Sequence, residues 1–276
     1  MKADTFRDKV IVVTGGGSGL GAALVRKFAR FGARVTIIDI NADTVNKVIK
    51  ELALERLLHV PNYKILDVAD DIVFCGALIE LKKTQGVLDI IVNNAGILIA
   101  GEARDLDSKM FRTITNINLM GVVNGSLAAF KIMAGQGYGK IVNISSVSGL
   151  IASPLYSAYS MTKHAVIGFS KALREEGRCL GIDVMVICPG TLKTGIFEAG
   201  NVVNASKDRV FKESALSSIS SEVAASKIID AINANRCITV FPAYARLMWL
   251  LEKIHPSLLK PLHQKIIKNF RVHRVN

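Results

Sequence analysis

The sequence predicts a doubly wound α/β domain, a parallel sheet of seven strands with helices on both faces, followed by a C-terminal helical extension. Three observations lead there. Short runs of β-branched residues are apolar throughout rather than alternately, helix-length amphipathic stretches separate them, and the first run ends in a cluster of glycines. Burial on both faces demands the first feature, and parallel neighbours demand the crossovers that the second supplies.

In chain order the expected strands are Val10–Val13, Arg34–Ile38, Tyr63–Leu66, Leu88–Val92, Lys140–Ile144, Asp183–Ile187 and Cys237–Phe241. Between them apolar residues recur at helical spacing, as in Leu24-Phe28-Phe31, Val73-Ala77-Leu81 and Val166-Phe169-Leu173. Residues 191–214 carry glycine, Asn and Asp with little periodicity, which predicts a mobile loop with a short helix. From Ala243 the pattern is helical again, interrupted at Pro256 and Pro261. The expected organisation is therefore one α/β domain over 1–241 and a basic helical extension over 242–276.

At 276 residues the chain can bury a large core without staples. Half of its residues are hydrophobic and only 6 are Pro, which excludes disordered and collagen-like chains. Four scattered cysteines, Cys75, Cys179, Cys188 and Cys237, suggest neither a zinc site nor a disulfide framework, and they are expected to be small buried hydrophobes. The charged start, Met1 to Lys9, does not fit a signal peptide. No stretch approaches the roughly 18 apolar residues of a membrane span, so the expectation is a cytoplasmic protein. Net charge is +12, and about half of the excess lies beyond Pro242, where Arg246, Lys253, Lys260, Lys265, Lys268, Arg271 and Arg274 face the single acid Glu252. That distribution points to the tail rather than to a nucleic-acid surface.

The first strand runs into Thr14-Gly15-Gly16-Gly17-Ser18-Gly19-Leu20-Gly21. Glycines allow a tight turn and close approach of backbone N–H groups to a pyrophosphate, and the following helix N-terminus adds favourable partial charge. Asp39 ends the second strand about 20 residues on, where a dinucleotide fold places the acid that binds ribose hydroxyls. A carboxylate there repels a 2′-phosphate, and neither Ser18 nor Ile40 supplies a cation to offset it. NAD is favoured over NADP. Helix capping is the alternative role for Asp39.

Further on stand Asn93-Asn94-Ala95-Gly96, Asn118, Ser145-Ser146, Tyr159-Ser160-Met161-Thr162-Lys163 and Pro189-Gly190. With the glycine loop, Asp39 and Asp67-Val68, this ordered set resembles the short-chain dehydrogenase/reductase family from about Lys9 to about Phe241. The resemblance implies a Rossmann-type fold and a homodimer or homotetramer, with Asn118, Ser146, Tyr159 and Lys163 as the catalytic set. Ser146, rather than Ser145, has the family's spacing to the tyrosine, and Tyr156 is a decoy because Ser160 stands four residues after it. The resemblance also places Gly15, Ser18, Gly19, Leu20, Gly21 and Asp39 in the dinucleotide loop and Asp67 and Val68 beside adenine. Asn94, Ala95 and Gly96 would lie by the adenosine ribose, and Pro189, Gly190, Leu192 and Thr194 around the nicotinamide carboxamide. Lys163 would hold the nicotinamide ribose, and Asn118 a water in the proton path.

The chemistry of these residue types agrees. A phenol titrates near ~10, so a tyrosine acting as a base near neutrality needs a fixed positive charge beside it. Lys163 lies one helical turn on, on the same face, and the oxidised nicotinamide adds a second charge. Ser146 can steady charge on the substrate oxygen.

In this family the substrate lies between the segment after Ser146 and the loop after Gly190. The residues there include Val147, Leu150, Ile151, Leu155, Tyr156, Ile196 and Phe197, with no cation among them, so an apolar alcohol or ketone fits better than an anionic acid. Ser146, Leu150, Tyr156, Ile196 and Phe197 are the expected substrate contacts. No metal is expected. In the tail Leu258, Leu262, Ile266 and Phe270 recur every four residues, with Lys260, Lys268 and Arg271 off that stripe, a pattern that suits a peripheral membrane contact as well as packing on the domain or on a subunit. Three function classes result: an NAD-dependent dehydrogenase of steroid-like, retinoid or long-chain alcohols; a 3-oxoacyl reductase of fatty-acid metabolism, against which Asp39 counts; and a non-enzymatic dinucleotide sensor or nucleic-acid binder, which would have no need of the catalytic set.

Overall fold

A computed structural model describes residues 5–193, 200–206, 218–272 and 274. All seven expected strands form one parallel sheet: β1 (Val10–Thr14), β2 (Arg34–Asp39), β3 (Asn62–Ile65), β4 (Ile90–Asn93), β5 (Gly139–Ile144), β6 (Ile182–Pro189) and β7 (Ile238–Phe241). Their spatial order is β7-β6-β5-β4-β1-β2-β3. In register, Val12 lies beside Thr36 of β2 and Ile91 of β4. The helices are α1 (Gly19–Arg30), α2 (Ala42–Ala53), α3 (Asp71–Gln85), α4 (Ser108–Thr115), α5 (Gly121–Gln136), α6 (Ser157–Gly177), α7 (Ser221–Asn233), α8 (Ala243–Ile254) and α9 (Lys260–Val272).

Burial follows the sequence pattern. β1 and β4 are buried at every position because both faces are covered. On one face Val25 and Phe28 of α1, Val48 of α2 and Ile228 of α7 pack with Ile11 and Ile37. On the other, Phe74 and Leu78 of α3, Met133 of α5 and Leu173 of α6 pack with Val12 and Ile91. Between β1 and β4 the order of strands reverses, which opens a crevice at their carboxyl ends, where α/β folds bind ligands. Asp39, Asn93, Ile144 and Pro189 each end a strand on that side.

Several expectations need correction. α4 and α5 join through a π-helical turn, Asn116–Met120, into a continuous run from Ser108 to Gln136. By length and composition that run could cross a membrane, with a window of mean hydropathy 1.4, which the sequence reading had excluded. It packs as an interior helix, burying Ile114, Val122, Ala129 and Met133. Cys188 is buried and Cys75 and Cys237 are half-buried, but Cys179 is exposed, because it falls in the single 3₁₀ turn that follows α6. In the 191–214 segment Leu192–Lys193 pairs with Ile219–Ser220 and Asn201–Val202 with Ile99–Ala100; residues 194–199 and 207–214, and with them the expected short helix, lie outside the described residues.

The extension packs on the domain through part of its apolar surface. Ala245, Tyr244 and Trp249 of α8 join Val166 of α6 and Val240 of β7, and Leu259 and Phe270 are buried. The expected stripe is therefore not one face: Phe270 turns inward while Leu258 and Leu262 are exposed. Arg271 and Arg274 are not free surface charges either. Glu102, itself buried, accepts from Arg271 at 2.7 Å and Arg274 at 3.1 Å and pairs with Arg104 at 2.6 Å, while Arg274 also reaches Asp105 at 2.9 Å. The guanidinium groups of Arg271 and Arg104 hold the Glu102 carboxyl below the usual range.

Candidate active site

A cavity of about 410 Å³ runs across the carboxyl ends of β1, β2, β4, β5 and β6. Its first end is the glycine loop. Gly15 and Gly19 have φ of +63° and +49°, the left-handed region that favours glycine. Ser18 stands at the N-cap of α1 but its side chain makes no capping bond, so the first-turn N–H groups of α1 are left without a side-chain acceptor. That is a cradle for an anion. Gly21 lies under the loop, where a Cβ would collide with the Gly15 carbonyl.

Asp39 holds this loop from the neighbouring strand. Its Oδ2 accepts from the Gly17 N–H at 2.8 Å and its Oδ1 from the Asn41 N–H at 3.0 Å. The side chain that caps α2 is Asn41, which accepts from Asp43 and Thr44. Asp39 is thus not the helix cap. Ile40 beside it is 68% exposed, and Lys163, at the far end, is the one cation among the described residues that line the cavity.

The middle of the groove is held by groups that sequence reasoning missed. The Thr14 hydroxyl accepts from the N–H groups of Asn94 and Ala95, at 2.9 and 3.0 Å, while the Asn94 amide donates to the Thr14 carbonyl. A threonine ending an apolar strand in front of a glycine run was the available signal. Below, Asn93 donates to Ser126 and Asn143, and Asn143 to Ser170, a fully buried network joining β4, β5, α5 and α6 under the site. Polar residues inside β-branched strands marked it. Asn124 of α5 donates to the Val68 carbonyl at 3.0 Å, which fixes the Asp67-Val68 turn at the cavity wall.

At the second end the expected catalytic set converges. Ser146 follows β5, and its hydroxyl accepts from the Ser148 N–H at 3.1 Å. Tyr159 lies in the first turn of α6, and the Lys163 Nζ sits 5.6 Å from its ring centroid while donating to the Ile144 carbonyl at 2.9 Å. Asn118 is in the π-helical turn, fully buried, and clasps Ile97 through both amide atoms at 2.8 and 2.9 Å. A Cβ on Gly96 would stand 3.1 Å from the Asn118 Oδ1, tight enough that the Asn118 amide would have to give by a few tenths of an ångström.

Burial dominates the electrostatics here. It raises Tyr159 to about 12, partly countered by the Ser146 hydroxyl, and lowers Lys163 to about 8. The sequence assigns the lowering of Tyr159 to Lys163 together with the oxidised nicotinamide; in the protein alone burial dominates, and the Lys163 ammonium donates to the Ile144 carbonyl. In this state Tyr159 is a neutral phenol, the form that donates a proton. Tyr156, also raised to about 12 by burial, lines the same cavity as a second neutral hydroxyl. Burial likewise raises Cys188 to about 12, which leaves it an inert thiol.

Leu20, Pro189, Gly190 and Leu192 line the cavity. Leu150 does not line it but packs against the cluster of Val166 and Ile167, and Ile151 is buried. Thr194, Ile196 and Phe197 lie outside the described residues.

A family model described as short chain dehydrogenase matches residues 9–202. The chain is 32% identical over 265 residues to "Probable oxidoreductase EphD" of Mycobacterium tuberculosis, covering 92% of this chain but 44% of that one, so it spans less than half the length of that relative. It is also 32% identical to dehydrogenase/reductase SDR family member 7B of Bos taurus, over 83% of this chain and 72% of that protein. In fold it is similar to a short chain dehydrogenase/reductase of Burkholderia phymatum in complex with NAD, with a TM-score of 0.83 at 24% identity over 92% of this chain and 95% of that one.

Proposed function

This chain belongs to the short-chain dehydrogenase family, and from that premise we propose that it is an NAD-dependent oxidoreductase of hydrophobic secondary alcohols and ketones, steroid-like, retinoid or long-chain. The observation that carries the proposal is the meeting of Ser146, Tyr159 and Lys163 at one end of a groove whose other end offers uncapped helix N–H groups and Asp39. The glycine loop, Asp39, Asp67-Val68 and the Asn94–Gly96 turn would hold a nicotinamide dinucleotide. The chemistry supplied by its bound nicotinamide ring is two-electron exchange with the alcohol carbon.

The chain's own residues handle the proton and the oxygen. Tyr159 gives its phenolic proton to the oxygen of a ketone, and as phenolate takes the proton of an alcohol. Ser146 hydrogen-bonds the same oxygen and steadies charge as it develops. Lys163, held by the Ile144 carbonyl, supplies the positive field that favours the phenolate when protonated, and Asn118 keeps Ile97 and Gly96 in place beside it. The walls near Tyr159, made by Val147, Leu98, Ile97 and Tyr156, suit an apolar substrate. Asp39 without a neighbouring cation favours NAD and weighs against an NADPH-using 3-oxoacyl reductase.

The outer face of the extension supports a peripheral contact with an anionic bilayer. Leu247, Leu250, Ile254 and Leu258 are exposed, Lys260, Lys265 and Lys268 have no ion-pair partner among the described residues, and the one acid, Glu252, turns inward to the Ala152 N–H. A panel of steroid, retinoid, acyl and aliphatic alcohols with NAD, followed at 340 nm, tests the substrate class. Turnover of an apolar secondary alcohol is expected, and activity confined to acyl thioesters with NADPH would overturn the proposal.

A further inference from the structure

Two residues beyond the stretch matched by the family model bind the turn that follows β6. The Gly190 N–H donates to the Phe241 carbonyl at 2.7 Å, and the Thr191 N–H donates to the Tyr244 hydroxyl at 2.6 Å. The Tyr244 ring also closes over Gly190: a Cβ there would run into the Tyr244 hydroxyl and stand 2.8 Å from its Cζ and 3.2 Å from the Pro242 Cδ. Pro189, Gly190, Thr191 and Leu192 line the groove on the Tyr159 side. One wall of the site is therefore set from the C-terminal extension, by a hydroxyl whose acceptor lone pair the Thr191 amide uses.

We infer that Tyr244 is a positioning residue for the nicotinamide end of the cofactor site. The inference rests on the dinucleotide reading proposed above. A part-buried N–H with no acceptor must either find water or turn, and either response displaces the peptide that faces the groove. Tyr244 does not itself line the cavity, so it acts through the turn. Its ring is anchored independently by packing with Val166, Cys188 and Val240 on α6, β6 and β7. Tyr244→Phe thus keeps the packing and removes only the acceptor.

On the dinucleotide reading the nicotinamide half would lie by this turn and the adenosine half by the glycine loop and Asp39, which gives a test that a general brace would fail. Wild type and Tyr244→Phe are titrated with NADH and with ADP-ribose, which lacks the nicotinamide, and each protein is melted without ligand. The variant is expected to bind NADH about tenfold more weakly, or about 1.4 kcal/mol, while ADP-ribose binding stays within twofold and the melting temperature is little changed. In turnover its KM for NAD rises more than kcat falls. Equal losses for NADH and ADP-ribose, or no loss for either, would overturn the positioning role while leaving the dinucleotide reading intact. Failure of wild type to bind NADH at all would overturn both.

Discussion

Cofactor choice is the sharpest consequence of the groove's first end. Replacing Asp39 by Ala and Ile40 by Arg removes a carboxylate and adds a cation where a 2′-phosphate would lie. Two unit charges at about 4 Å and an effective dielectric of about 20 interact by ~4 kcal/mol. Asp39 is only partly buried and Ile40 is 68% exposed, so solvent screening reduces the usable change to about 3 kcal/mol, or roughly a hundredfold. The same substitution strips the Gly17 and Asn41 N–H groups of their acceptor, so the loop loosens and NADH binding weakens as well. Quenching of protein fluorescence or calorimetry with NADH and NADPH measures the two Kd values without any substrate. Their ratio should move by about a hundredfold towards NADPH. A wild-type protein that already binds NADPH more tightly, or a double variant that keeps its preference for NADH, would refute the reasoning.

Lys163→Met should stabilise the cofactor-free protein at neutral pH while abolishing activity. The folded pKa of Lys163 is depressed from 10.5 to about 8, so its stability cost is absent above the unfolded value, grows as pH falls towards 8, and is complete below it at about 3 kcal/mol. Thermal melts should show the variant's advantage at pH 7 and lose it above about pH 10.5, and an advantage that does not change with pH would contradict the desolvation account. For the extension, three lysines at about 1 kcal/mol each favour anionic vesicles by about 3 kcal/mol before apolar insertion. Co-sedimentation with phosphatidylserine vesicles at low salt should capture the protein and high salt release it, whereas a salt-insensitive dimer without vesicle binding would assign the exposed leucines to a second copy. Truncation after Pro256 should lower the melting temperature, because Leu259 and Phe270 leave the core and Glu102 loses Arg271 and Arg274; an unchanged melt would show that this packing contributes little.

Legibility in the sequence tracked locality. Strands buried on both faces announce themselves as β-branched runs, so all seven were found, and the glycine loop, Asp39 and the Tyr159 to Lys163 spacing are local signals at the ends of those strands. What escaped depends on contacts between distant segments. Thr14 bonds Asn94 across 80 residues, Tyr244 bonds Thr191 across 53, and Glu102 meets Arg271 across 169, and no periodicity encodes such pairs. The tail stripe misled for the same reason: spacing of four defines a face, but which of its residues turn inward is set by contacts with distant segments, and Phe270 is buried beside Arg271, which pairs with Glu102, while Leu262 is exposed. Lys163 was read as a charge beside a phenol, whereas its burial and its bond to the Ile144 carbonyl are tertiary facts.

Tyr159→Phe tests the central chemistry most directly, because it removes the transferable proton and leaves the ring's packing and the cofactor groove in place. The measurement is single-turnover oxidation of the best alcohol from the panel at saturating NAD, alongside NADH binding by the same protein. The variant is expected to bind NADH within about twofold of wild type and to fall at least a thousandfold in turnover, on the order of 4 kcal/mol of transition-state stabilisation. A variant that keeps more than a tenth of the wild-type rate would contradict the assignment of Tyr159 as the acid and base of the reaction.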